Sequence, residues 1–427
     1  MDRHVQDFLD IQPQMRQNEV WRFVDFSSLL TEELTLPQGE RQTAEYHCNI
    51  PDLEAVRLVV ENGYCHEALQ QDADGVVMAG LRDICGRRDE FVRKYFGTCT
   101  PKENPYLKYN TDHYTDGLFV YVPDGVKVSK PIQLQSVVNA GHGLFLQVRN
   151  LVILGRGSSA TIIHCDDSYD NAPAFANNVT EIHVGEESRA EYYKLQNLNN
   201  NTGLLNHTYA TLQQGATMRS VAVTLNGGHI RNHTEIRMLG EHCEVEAHGL
   251  YLNDQEQQVD NYIFVEHAFP NCHSRELFKG ILDDSARGTF NGHVLVQYGA
   301  TKTEAYQSNK NILLTDKALI NTKPFLEIYN DDVKCSHGST IGQLDEQALF
   351  YIRSRGISER SARTMLLYAF CDEVLKEILL DPLRERLTDL VKKRLHGELT
   401  LCSECALHCS TPCNGPEANF YIDPAKL

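Results

Sequence analysis

Alternating apolar and polar residues run almost unbroken from about Thr115 to Thr340, and this stretch constrains the fold more than anything else in the chain. Segments such as GLFVYVPDG, LVILGRGSSATIIH, TEIHVGEESRAEYYKL, HTYATLQQGATMRSVAV and TEIRMLGEHCEVEAHGLYL share one plan. Each has a strand of period two, a turn with glycine or a small residue, and a second strand. Period two puts every second side chain on one face. Apolar positions such as Val152, Ile182, Tyr209, Ile236, Phe264 and Val294 recur at roughly 27 to 30 residues, a spacing of repeat architectures. One coil cannot bury its inward face alone, but stacked coils share a continuous interior. A β-sandwich would alternate in the same way, so period alone leaves it open; the fixed offset favours a parallel β-helix.

The flanks have other textures. Residues 1–105 read as a mixed helical region, with a helical DEFVRKYFG, packing anchors at Trp21 and Phe23, and a hairpin in VRLVVENGYCHEAL. Asn62-Gly63 supplies the positive φ angles of its two-residue turn. Residues 106–342 are the β-helix core. After Gly342 the chain turns helical to 397. Asp345 and Ser358 sit at helix starts and Gly356 at a stop. Ala362, Met365, Leu366, Ala369 and Phe370 are expected on one apolar face, and Leu383, Leu387, Leu390, Val391 and Leu395 on another. These helices are expected to cap the strand region and shield its edges. Residues 398–427 form a cysteine-rich tail.

Acidic residues outnumber basic ones 58 to 40, for a formal charge of −18. No basic face for phosphate recognition follows from such a balance, so no nucleic acid is expected. The start of the chain lacks a signal-peptide core and no run of about 18 apolar residues crosses a membrane. A cytoplasmic location is expected, with the 13 cysteines as thiols or metal ligands rather than disulfides. There is no G-x-x-x-x-G-K loop, H-E-x-x-H or G-x-S-x-G, so ATP hydrolysis by this chain is not expected. A β-helical carbohydrate-active enzyme is the alternative, since acid pairs stand at Asp166-Asp167, Asp283-Asp284 and Asp331-Asp332. Adjacent acids on a strand point to opposite faces, which favours turns or solvated edges.

Cys335 and His337, two apart in DDVKCSHGST, project from one face of an extended segment. Thiolate and imidazole suit iron or zinc, but two ligands make half a tetrahedral site. A polar strand end explains the same residues. Cys402, Cys405, Cys409 and Cys413, with His408 among them, are close enough to surround one zinc ion or an iron–sulfur cluster.

KPFLEIYNDDVKCSHGSTIGQLDEQALFYIRSRGI resembles the signature of the SufB/SufD family of iron–sulfur cluster assembly proteins. The likeness runs upstream through TEAYQSNKNILLTDKALINTKPFLEIY and HAFPNCHSRELFKGILDDSARGTFNGHVLV, and more weakly through NEVWRFVDFSSLL and GLFVYVPDGVKVSKPIQL. GTFNG, QSNKNILL and EIYNDDVKCSHGST resemble the SufD branch. The resemblance implies a right-handed parallel β-helix with helical flanks, and a non-catalytic scaffold subunit in a complex with SufB and a pair of SufC ATPases. It implies that SufB pairs edge to edge with this chain, and that His337, with Cys335 beside it, faces a SufB cysteine as half of a site for a transient iron–sulfur cluster. The helices after Gly342 would dock SufC. Reduced flavin belongs, in that family, to the complex; this chain carries no flavin signature. An exposed pairing edge would also allow a homodimer of the isolated chain. The tail after Glu398 departs from the family pattern.

Overall fold

The computed structural model describes residues 1–39 and 50–395. Its strands, in chain order, are β1 (Val56–Glu61), β2 (Tyr64–Cys65), β3 (Gln70–Gln71), β4 (Val77–Gly80), β5 (Leu118–Val122), β6 (Ile132–Val138), β7 (Leu144–Leu154), β8 (Ser159–Ser168), β9 (Ala174–Val184) and β10 (Arg189–Asn197). There follow β11 (Thr202–Leu212), β12 (Thr217–Asn226), β13 (His229–Met238), β14 (Glu244–Asn253), β15 (Gln258–His267), β16 (His273–Leu282), β17 (Arg287–Val296), β18 (Thr303–Leu313), β19 (Leu319–Ile328) and β20 (Val333–Gly342). They make two 10-stranded sheets. One runs β2, β1, then the even strands β6 to β20; the other runs from β19 down the odd strands to β5, then β4 and β3. From β5 onward every pairing is parallel, so each coil gives one strand to each sheet and the fold is a parallel β-solenoid. The β1–β2 hairpin closes through Asn62 at φ 49° and Gly63 at φ 84°, as the turn chemistry predicts.

The repeat is real, and its register corrects the expected column in two places. Val152, Ile182, Ala210, Ile236, Val265 and Val294 stand on successive rungs of one sheet, all buried. Tyr209 and Phe264 are each one residue off. A one-residue slip on a strand moves a side chain to the other face. Tyr209 therefore packs outside against Cys99 and Leu107, and Phe264 lies against the His293 ring.

The corners repeat as well. Gly157, Glu187, Gly215, His242 and Asn271 all have positive φ. Each is followed by a small buried residue: Ser158, Ser188, Ala216, Cys243 and Cys272. Cys243 and Cys272 are thus corner fillers, which explains two of the scattered thiols.

The helices are α1 (Arg3–Leu9), α2 (Gln12–Met15), α3 (Leu81–Arg93), α4 (Pro105–His113), α5 (Glu346–Ser354), α6 (Glu359–Leu375) and α7 (Asp381–Leu395). Phe8, Trp21, Phe26 and Tyr106 cover the outer face of the odd-strand sheet at Phe145, Phe175 and Leu205. The buried Arg231 guanidinium lies 4.8 Å over the Trp21 ring. Trp21 is an anchor as expected; Phe23 is not, and its ring is exposed.

Helices α6 and α7 cover the outer face of the other sheet at Ile163, Tyr193, Val221, Leu250 and Leu277. Arg394 of α7 donates to both Asp254 oxygens at 2.6 Å and fixes that helix to a solenoid corner. Helices α5 and α6 begin after Asp345 and Ser358, whose side chains cap them, as expected. On α6 the buried residues are Ala362, Thr364, Leu367, Cys371, Val374 and Leu375. Met365, Leu366 and Phe370 are half-buried and Ala369 is exposed. The sheet on one side and α7 on another select that stripe rather than the expected one. Helices α6 and α7 lie along the flank of the even-strand sheet, and among the described residues no helix is packed over the β19–β20 end.

Candidate functional site

Strand β20 ends one sheet and β19 ends the other. On β18 the inward series is Thr303, Ala305, Gln307, Asn309 and Asn311, all buried. The parallel register sets Val333, Cys335, His337, Ser339 and Ile341 directly above them. Two contacts fix the direction of this series. Cys335 packs with Val294, Val296 and Ala305 of the interior, and Ser339 Oγ donates to Asn309 Oδ1 at 3.4 Å. Cys335 and His337 therefore share the inward face, as their spacing predicts. Among the described residues no further coil lies over them, and His337 is exposed and Cys335 half-buried. Burial pushes the Cys335 thiol up, and binding a metal there must expel its proton.

The two end strands also expose apolar side chains. Leu319, Phe325, Ile328, Tyr329 and Ile341 are all exposed on or beside the two end strands. Exposed strand edges next to clustered apolar side chains are the usual mark of a surface that pairs with another chain.

Behind His337 the interior is polar in a way the sequence did not announce. In one column stand Ala247, Glu276, Gln307 and His337, on β14, β16, β18 and β20. Gln307 Nε2 donates to Glu276 Oε2 at 2.8 Å. Burial raises the Glu276 carboxyl to about 8, so it is neutral near pH 7. Beside it Asn309 donates to the Tyr251 hydroxyl at 3.2 Å and Asn311 to Asn309 Oδ1 at 2.7 Å. The only trace in the sequence is the period-two run Gln307, Asn309, Asn311, which reads equally well as a solvated face.

Two other clusters of ligand-type side chains among the described residues are occupied by the protein itself. Cys99, Glu181 and His183 lie together, but Glu181 already accepts from Arg149 and from the Gly97 N–H. Glu246, His248 and Glu377 also converge, and Arg219 pairs with both carboxylates. The acid pairs do not act as pairs. Asp166 turns inward to Lys194 at 2.8 Å, Asp284 makes a corner at φ 48°, and Asp331 and Asp332 are exposed at a turn. Cys402, Cys405, His408, Cys409 and Cys413 lie outside the described residues.

Comparison with known proteins agrees with this architecture. The family profile described as "SUF system FeS cluster assembly, SufBD core domain" matches residues 137–370, and that of the SufBD protein N-terminal region matches residues 2–134. The chain belongs to the SufBD family. It is 28% identical to the iron–sulfur cluster assembly protein SufD of Escherichia coli over 92% of each chain. It is 29% identical to a SufBD family protein of Synechocystis, covering 89% of this chain and 87% of the relative. SufD of Bacillus subtilis is 24% identical over 88% of each. As a SufBD protein the chain has its role in iron–sulfur cluster assembly, and a carbohydrate-active enzyme is not favoured. No described helix is long and apolar enough to cross a membrane.

Proposed function

We propose that this SufBD protein acts as the SufD-type, non-catalytic scaffold subunit of the assembly complex, and that β20 carries half of the site where a nascent cluster forms. The observation that carries this reading is His337: an exposed imidazole on the inward face of the last strand, a face it shares with Cys335 and the exposed Ile341. A SufB subunit pairing along the open edges would bury Leu319, Phe325 and Ile341 and bring its own ligand to His337, with Cys335 alongside. The cluster is cargo of that site, passed on once built. Phe350 and Tyr351 of α5, both well exposed, support a docking role for the C-terminal helices, with the ATPase SufC as partner. Nucleotide chemistry belongs to SufC, in keeping with the missing phosphate loop. Reduced flavin, if bound, would be held by the complex. Without SufB, the same open end would pair two copies of this chain.

Co-expression with SufB and SufC of the same organism tests the half-site. His337→Ala should co-purify in the normal ratio but assemble clusters from Fe²⁺ and sulfide about tenfold slower or worse. A variant complex that builds clusters at the parent rate would refute it. The tail is proposed as a separate zinc or iron–sulfur site of Cys402, Cys405, Cys409 and Cys413. Metal analysis after anaerobic purification should find one extra site in the full chain relative to a truncation after Gly397; equal contents would make the tail idle.

A further inference from the structure

Neighbouring strands of a sheet lie about 4.8 Å apart, so an inward side chain of β18 faces the rung occupied by its partner on β20. Gln307 stands in register beneath His337 and is only 3% exposed. Its amide is committed at one end, where Nε2 donates to Glu276 Oε2. The other end, Gln307 Oε1, is a buried acceptor with no hydrogen-bond partner. Buried polar atoms of native proteins are rarely left so. The facing strand makes room for this amide: a Cβ added to Gly292 of β17 would come within 2.3 Å of Gln307 Nε2. Three strands therefore cooperate to hold one carbonyl oxygen just inside the open end.

We infer that Gln307 is the positioning residue of the half-site: its Oε1 takes the inward N–H of His337, so that the other ring nitrogen offers its lone pair outward to the shared cluster. Metal-binding histidines generally donate their second N–H to such an acceptor, which fixes tautomer and ring direction. In the structure Gln307 Nε2 donates to Glu276 Oε2, which leaves Oε1 as the end of the amide turned to His337. Because Glu276 is neutral near pH 7, the column orients the imidazole without bringing a charge behind it. Gly292 belongs to the same device, since any side chain there would push the amide off its course. This inference rests on the half-site reading of His337.

The test uses the complete complex with SufB and SufC, loaded anaerobically with Fe²⁺ and sulfide. Cluster formation is followed by visible circular dichroism. After reduction with dithionite, the histidine ¹⁴N coupling is read by pulsed electron paramagnetic resonance. Gln307→Leu should form the complex in normal yield, slow assembly by about ten- to a hundredfold, and alter or abolish the ¹⁴N coupling. The exchanged pair Gln307→Glu with Glu276→Gln keeps an acceptor beneath His337 and a donor behind it, and should recover most of both. Gly292→Ala displaces the amide without removing it and should resemble Gln307→Leu, which keeps the test open if the leucine variant fails to fold. If His337→Ala is defective while Gln307→Leu and Gly292→Ala keep the parent rate and coupling, the positioning role falls and the half-site stands. If His337→Ala itself is normal, both fall together.

Discussion

Arg149→Met should cost the isolated chain about 3–5 kcal/mol of stability, the usual penalty for leaving a buried charge without its partner. Arg149 and Glu181 are 1% and 0% exposed and face each other on adjacent rungs of β7 and β9. Arg149 Nε donates to Glu181 Oε1 at 3.0 Å and Nη2 donates to the same oxygen. The guanidinium also reaches Thr111 Oγ1 of α4 at 3.2 Å and lies 4.8 Å over the Phe96 ring. Glu181 in turn accepts from the Gly97 N–H at 2.8 Å and from the Cys99 thiol at 3.3 Å. One ion pair thus pins the segment from Phe96 to α4 on the solenoid wall. Urea unfolding of the single variant measures its loss. Combining it with Glu181→Gln, which removes the stranded charge but still accepts from Gly97, should recover at least half of that loss. A single variant within about 1 kcal/mol of the parent would mean that water or rearrangement supports Glu181 in place of the arginine.

Arg149 also shows where sequence reading stops. Its segment, FLQVRNLVIL, announces a strand by its apolar run, but nothing in it says that the arginine is buried. Period two made the coils legible because it reports one local property, the alternation of faces, and the 27- to 30-residue offset added the stacking, within roughly one residue. That tolerance was fatal for Tyr209 and Phe264, because a single step on a strand exchanges inside for outside. Cys335 and His337 were legible for the same reason that those two were not: an i, i+2 pair stays on one face whatever the register. The interior polar residues were invisible. Asn206 donates to Asn232 and Asn232 to Asn261, each at 3.1 Å, down the inside of the solenoid. On one strand at a time each asparagine looks like a solvated position; only the stacking of coils supplies the partners that make its burial affordable. The placing of the C-terminal helices is hidden for a related reason. The helices after Gly342 carry apolar stripes that need a surface, and sequence gives no direction for choosing the flank of a sheet over its end.

Glu276→Gln should make the protein more stable at pH 8 by about 2–3 kcal/mol and flatten its stability between pH 5 and 8. In the native state burial holds this carboxyl at about 8, against 4.5 for the ordinary side chain. Below about pH 4.5 both states carry the proton and the group adds no pH dependence. Between 4.5 and 8 the unfolded chain releases a proton that the folded chain keeps. The folded state then binds more protons, so stability falls as pH rises. At about 1.4 kcal/mol per pH unit the loss reaches roughly 3 kcal/mol by pH 7, and it levels off only above 8. Glutamine has the same shape, still accepts from Gln307, and does not titrate. Its own buried N–H groups offset part of the gain, at about 1 kcal/mol or more for an unsatisfied donor. Urea unfolding of parent and variant at half-unit steps from pH 4.5 to 8.5 decides the matter: the two curves should converge or cross at the acid end and separate steadily toward pH 8. Parallel curves would show that Glu276 ionises freely in the native state. An acid that weakens the fold at neutral pH, on the rung that holds Gln307 under His337, is best understood as stability given up to fix a hydrogen-bond direction. The variant that gains stability still keeps the amide in place, so its cluster-building rate in the complex should stay within about threefold of the parent while that of Glu276→Leu does not.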